Sequence, residues 1–129
     1  MKRLIVSAAI VMMSVVSASA SDPVEGVWQT EPDDGAYALV TMAPCGPNIC
    51  GVIARTFNAD GEYKSENIGK KIIIDMGNKG GGRYEGQVWR PSNNKIYMGK
   101  MDVDGKKMKL RGCVAGGLLC SSQNWIKVQ

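Results

Sequence analysis

From Lys107 to Val114 the chain alternates without a break. Met108, Leu110, Gly112 and Val114 fall on one side of an extended backbone, and Lys107, Lys109, Arg111 and Cys113 fall on the other. Lys95 to Val103 repeats the pattern, with Tyr97, Gly99, Met101 and Val103 together. Asp104-Gly105 lies between the two segments, and both residues tolerate the positive φ that a two-residue hairpin turn requires. A period of two cannot form the single apolar stripe of a helix, so this stretch predicts an antiparallel hairpin with one face buried.

The same period recurs along the chain, whereas a helical period is hard to find after residue 20. Further strands are predicted near Val24–Thr30, Ala36–Ala43, Ile49–Thr56, Lys70–Asp75, Arg83–Arg90 and Asn124–Val128. Asp33-Asp34-Gly35, Pro44 to Asn48, Gly77 to Gly82 and Pro91 to Asn94 supply turns. Asn58 to Gly69 is the longest connection, with a short helical turn expected over Glu62 to Asn67. About eight short antiparallel strands joined by tight loops make an all-β protein, a small sandwich or barrel. A closed up-and-down barrel is preferred, because pairing the first strand with the last leaves no edge exposed.

Met1 to Ala20 reads as an export signal and not as part of this fold. Lys2 and Arg3 precede an apolar run from Leu4 to Val16, and Ala18-Ser19-Ala20 offers a cleavage site. That run is shorter than the roughly 20 residues a spanning helix needs. The 129-residue chain less its first 20 leaves 109, Ser21 to Gln129, enough for one domain. Removing Lys2 and Arg3 from 16 basic side chains leaves 14 against 12 acidic, a net charge of +2. The overall balance therefore argues for neither nucleic acid nor a membrane surface as a partner. No transmembrane segment is expected after cleavage, and the location expected is the periplasm or beyond.

Four cysteines on an exported chain are read as two disulfides. Loop closure is worth about 2 kcal/mol for each local pair and over 4 kcal/mol for a long crosslink, which favours the crossed pairings. Geometry favours the local ones. The Gly46-Pro47-Asn48 turn can bring Cys45 and Cys50 together, and Gly116-Gly117 can do the same for Cys113 and Cys120. Neither spacing is the Cys-x-x-Cys of a redox centre, and the irregular spacings suit a four-cysteine zinc site poorly.

Gly26-Val27-Trp28, Cys50-Gly51, Gly86-Gln87-Val88-Trp89-Arg90-Pro91, Lys95-Ile96-Tyr97, Arg111-Gly112-Cys113 and Gln123-Asn124-Trp125 stand in this order along the chain. Together they resemble a family of small exported bacterial proteins known as domain of unknown function 2147. The Gly-x-Trp start also looks like the first-strand signature of lipocalins. The resemblance spans the mature chain and implies a lipocalin-like barrel in the periplasm, with no enzymatic activity to carry over. Asn93-Asn94 stands where the family would have a glycine, a replacement that Asn's tolerance of the left-handed region allows.

Tyr84, Val88, Tyr97, Met101, Met108 and Leu110 are the candidate interior surface. They would either fill the barrel or line a site for a small apolar or amphipathic ligand. Trp28 and Trp125, in the first and last strands, are expected to anchor closure. Lys106, Lys107, Lys109 and Arg111 form a basic stripe that reads first as the solvated face of a hairpin, with anionic headgroups or an acidic partner as the functional alternative. The glycines of 77–82 lack the Gly-Lys-Ser/Thr ending of a phosphate loop. With no histidine and with structural cysteines, neither a hydrolase triad nor a His-ligated metal can be built. The adjacent carboxylates Asp33-Asp34 sit in a turn, where Asp is common. The expectation is thus a binding module without cofactor, metal or catalytic residue. The alternative is an envelope interaction protein that meets another protein or the membrane surface through its loops or basic stripe.

Overall fold

The structure, a computed structural model, describes residues 22–129, so the predicted export segment lies outside the described residues. Among the described residues nine strands follow in order: β1 (Gly26–Gln29), β2 (Tyr37–Cys45), β3 (Asn48–Asn58), β4 (Gly61–Tyr63), β5 (Lys71–Gly80), β6 (Arg83–Arg90), β7 (Lys95–Asp104), β8 (Lys107–Val114) and β9 (Leu119–Lys127). All pairings are antiparallel. The order β2-β1-β9-β8-β7-β6-β5-β3 is closed by β2 pairing with β3, which makes an eight-stranded barrel. The three-residue β4 pairs with β3 outside this ring, where a helical turn was expected over Glu62 to Asn67.

The predicted turns close as their residues require. Asn94 adopts φ +55° before β7, the conformation otherwise given to glycine, and Gly105 adopts φ +59° between β7 and β8. Two strand limits differ from expectation by more than two residues. β5 continues beyond Asp75 to Gly80, into the stretch read as a turn, and β9 begins at Leu119 and not at Asn124. In β5 the ladder shifts register between Ile74 and Gly77 around Asp75, whose φ is +47°; this bulge lets a glycine-rich segment keep pairing. In β9 the residues Ser121 to Asn124 are polar on both faces, so no apolar alternation marks them.

One half of the barrel is solid. Trp28, Met42, Met76, Tyr84, Met101 and Met108 are fully buried together. The hairpins at 46–47, 81–82 and 105–106 surround this end, and the segment before β1 seals it. Val24 is fully buried and its carbonyl accepts the Trp28 indole N–H at 2.7 Å. The Asp22 carboxylate accepts the Tyr84 hydroxyl and the Val24 N–H. Burial, with Asp22 second, pushes the Tyr84 phenol well above its usual range. The seam is formed where Trp28 pairs with Lys127 and Gln29 with Ile126, so the two buried tryptophans belong to the adjoining first and last strands.

Disulfides join Cys45 to Cys50 (Cα–Cα 5.7 Å) and Cys113 to Cys120 (Cα–Cα 4.1 Å), the local pairings. The first clips the β2–β3 turn at the sealed end. The second ties β8 to β9 at the other end.

Candidate functional site

A cross-strand row decides where the interior opens. Gly86 pairs with Gly99, Gly99 with Gly112 and Gly112 with Ser121, so four neighbouring strands present almost no side chain along one line. The row is filled at one end only. A Cβ at Gly86 would lie 2.6 Å from the Asp75 carbonyl oxygen, and one at Gly99 would lie 2.5 Å from Met76 Cε. The β5 bulge and Met76 therefore occupy the space beside these two glycines. Beside Gly112 the nearest atoms belong to Tyr97 and Val88, at ordinary contact distances of 3.5 and 3.6 Å, and the interior opens there.

The result is a cleft of about 440 Å³ at the end opposite the sealed one. Its apolar lining includes Ile53, Ile72, Val88, Leu110 and Trp125, and its polar lining includes Thr56, Ser65, Asn67, Ser121 and Gln123. Five of the chain's eight aromatic residues border it: Tyr37, Tyr63, Trp89, Tyr97 and Trp125. Several polar groups are held by neighbours. Gln123 Oε1 accepts the Trp125 indole N–H at 3.0 Å, the Thr56 hydroxyl donates to the Tyr63 carbonyl at 2.5 Å, and the Tyr97 hydroxyl accepts from Asn93 at 2.7 Å. The wall thus combines flat apolar surfaces with fixed dipoles, which suits a small molecule with both kinds of surface.

Across the mouth runs an ion pair. Arg90 Nε and Nη2 donate to the two Asp33 oxygens at 2.9 and 2.8 Å, and the Ser92 hydroxyl donates to the same carboxylate at 3.2 Å. Asp33 lies in the β1–β2 connection, and Arg90 ends β6. In the ring these two hairpins are four strands apart out of eight, so the pair links opposite walls. The Arg90 hydrogen bond holds the Asp33 carboxyl below its ordinary value, and the Asp33 carboxylate raises the guanidinium in turn. Glu31 ties the same loop to β9 by accepting the Asn124 N–H at 2.7 Å.

The six interior candidates separate into two groups. Val88, Tyr97 and Leu110 line the cleft, whereas Tyr84, Met101 and Met108 lie in the solid half and do not. Alternation identifies inward-facing positions but not their depth along the barrel, which depends on strand stagger. Trp125, expected to be structural, is buried at the seam and also forms part of the cleft wall. The sequence reading missed Ser121, Gln123, Asp33 and Arg90. Ser121 and Gln123 share the parity of Trp125, and that parity is the signal that would have found them. Asp75 Oδ1 lies 3.6 and 3.7 Å from the Cys45 and Cys50 sulfurs, but these are joined to each other and offer no thiolate for a metal.

Comparison with known proteins agrees with this architecture. Residues 26–127 match a family described as "Uncharacterized protein conserved in bacteria (DUF2147)". Among solved structures, a Helicobacter pylori protein described as belonging to the lipocalin family superposes with a TM-score of 0.63 at 12% identity, covering 81% of this chain and 82% of that one. Likeness at that identity concerns the fold, which is lipocalin-like. No curated protein matches the chain in sequence.

Proposed function

This chain belongs to the DUF2147 family of uncharacterized bacterial proteins, and from that premise we propose that it is a non-catalytic binding module whose barrel takes up one small amphipathic molecule. The observation that carries the reading is the half-hollow interior. A barrel that needed only stability would continue its core past Met76, yet beyond Gly112 there is a cleft of about 440 Å³, within the usual range for small-ligand sites. The lipocalin-like fold agrees with such a use. The cleft lining contains no histidine or free thiol, and its Arg90–Asp33 pair is engaged with itself, so the residues are suited to holding a molecule and not to transforming it. The export signal read over Met1 to Ala20 and the joined cysteines agree with work in the periplasm.

Gly112 provides the test. A Cβ there makes only ordinary contacts, so Gly112→Leu adds bulk to the cleft with the backbone unstrained. Native mass spectrometry of protein taken from the periplasm is expected to show a co-purifying small molecule. The amphipathic dye 1-anilinonaphthalene-8-sulfonate is expected to bind the wild type and to bind Gly112→Leu at least about tenfold more weakly, the order of effect that filling a ligand site produces. A protein that carries no ligand, and that binds the dye equally with and without the leucine, would show that the cleft is not a binding site.

A further inference from the structure

The connection between β8 and β9 has the composition of a buried segment, yet it projects into solvent. Val114-Ala115-Gly116-Gly117-Leu118-Leu119 carries no charge, and Leu118 and Leu119 are 85% and 66% exposed. Val114 pairs with Leu119 at the base of this tip, and the Cys113–Cys120 disulfide lies directly beneath, so the tip is held in place at the end of β8 and β9. The apolar surface continues down the outer wall. A Cβ on Gly117 would lie 3.4 Å from Met98 Sδ, and Ile96, on the same outward face of β7, is also exposed. Isolated exposed apolar side chains are ordinary, but a contiguous patch at a projecting point marks a surface that is covered in use.

The charge along the wall that runs from the patch to the sealed end says what covers it. The outer face of β7 and β8 and their hairpin carries Lys100, Lys106, Lys107, Lys109 and Arg111 against two carboxylates, Asp102 and Asp104. Asp102 is engaged by Arg111 at 2.9 Å and by Arg83 at 3.9 Å. Among the described residues, the four lysines make no ion pair. Lys100 Nζ lies beside Gly117, just behind the tip. A convex apolar tip backed by unpaired cations suits a fluid anionic surface, which accepts a protrusion at any orientation. A protein partner would need a matching pocket, since protein interfaces bury their anchors in well-packed sites.

We propose that this face is a membrane-docking surface, with Leu118 and Leu119 entering the headgroup region of an anionic bilayer and the lysine stripe lying against it. The net charge of +2 expected for the mature chain conceals the asymmetry that makes this work. Docking would also bring the cleft mouth near the bilayer, since Ser121 and Gln123 of β9 line the cleft just beyond the tip. The proposal does not depend on the cleft being occupied.

The test is flotation of protein purified from expressing cells, its N-terminus fixed by mass spectrometry. Vesicles of phosphatidylglycerol and phosphatidylethanolamine are compared with vesicles of phosphatidylcholine. Wild-type protein is expected to float with the anionic vesicles only, and less so as salt is raised. Leu118→Asp, at a position too exposed to support the core, is expected to reduce partitioning about tenfold with its near-UV circular dichroism unchanged. Lys107→Glu with Lys109→Glu is expected to remove the preference for anionic vesicles. The proposal is overturned if wild type leaves the anionic vesicles bare or if Leu118→Asp floats as well as wild type. It also fails if the variant loses crosslinks to an envelope protein while neither form binds vesicles, which would assign the face to a protein.

Discussion

Asp33 and Arg90, 57 positions apart, meet because closure puts the β1–β2 and β6–β7 hairpins on opposite walls of one mouth. The pair is too solvated to hold the domain together, so its effect belongs to the loops it joins. Hydrogen exchange at neutral pH should read that effect. Asp33→Asn is expected to speed exchange in both 31–36 and 91–94 and to leave β7 and β8 as they were; acceleration of 31–36 alone would show that the pair does not link the walls. The pH dependence has a definite sign. The folded-state carboxyl sits below its ordinary value because Arg90 favours the anion. The stabilisation is therefore complete above the unfolded value and disappears as pH falls through the lower, folded one. In NMR the Arg90 Nε–H resonance should accordingly titrate with a midpoint below that of an ordinary aspartate, and Asp33→Asn should remove that transition.

At the scale of elements, alternation revealed each ring strand because one face of each packs on something apolar. β7 and β8 are the clearest examples, with Met101 opposite Leu110 and Val103 opposite Met108 in register. Where the interior is hollow that signal disappears. The inward residues of early β9, Ser121 and Gln123, are polar because they border a cleft, so the strand looked like a loop until Asn124. The β9 wall of the candidate site was thus illegible for the same physical reason that makes it a candidate. β5 failed differently. Its glycines suggested a turn, but a bulge at Asp75 absorbs the irregularity and sends Met76 inward. The disulfides were legible from turn geometry, and each spans only one turn. Cys45→Ser with Cys50→Ser should cost about 2 kcal/mol, loosen exchange around 44–50 and preserve one cooperative unfolding transition. Loss of that transition would mean that the clip supports the whole sealed end.

Seen whole, the barrel divides its labour along its axis. The sealed half supplies the packing that a 108-residue folded region, 22–129, needs, and the open half gives some of that packing up for a cleft. The row from Gly86 to Ser121 lies between them, filled by Met76 and the β5 bulge on one side and empty on the other. If this division is real, stability and binding should respond to different substitutions. Met101 is fully buried in the sealed half, so Met101→Ala removes contacts and leaves a cavity, at a cost of about 2–5 kcal/mol. The residue does not line the cleft, so affinity for 1-anilinonaphthalene-8-sulfonate should hold within about twofold. Ser121 is exposed on the cleft wall, so Ser121→Leu should leave the free energy of unfolding within about 0.5 kcal/mol of wild type, as surface changes do, while it obstructs the dye. Urea melts and dye titrations on the same two variants distinguish the alternatives directly. Matched losses of affinity in both would mean that the sealed half shapes the cleft, and that the barrel responds as a single unit and not as a foundation carrying a cup.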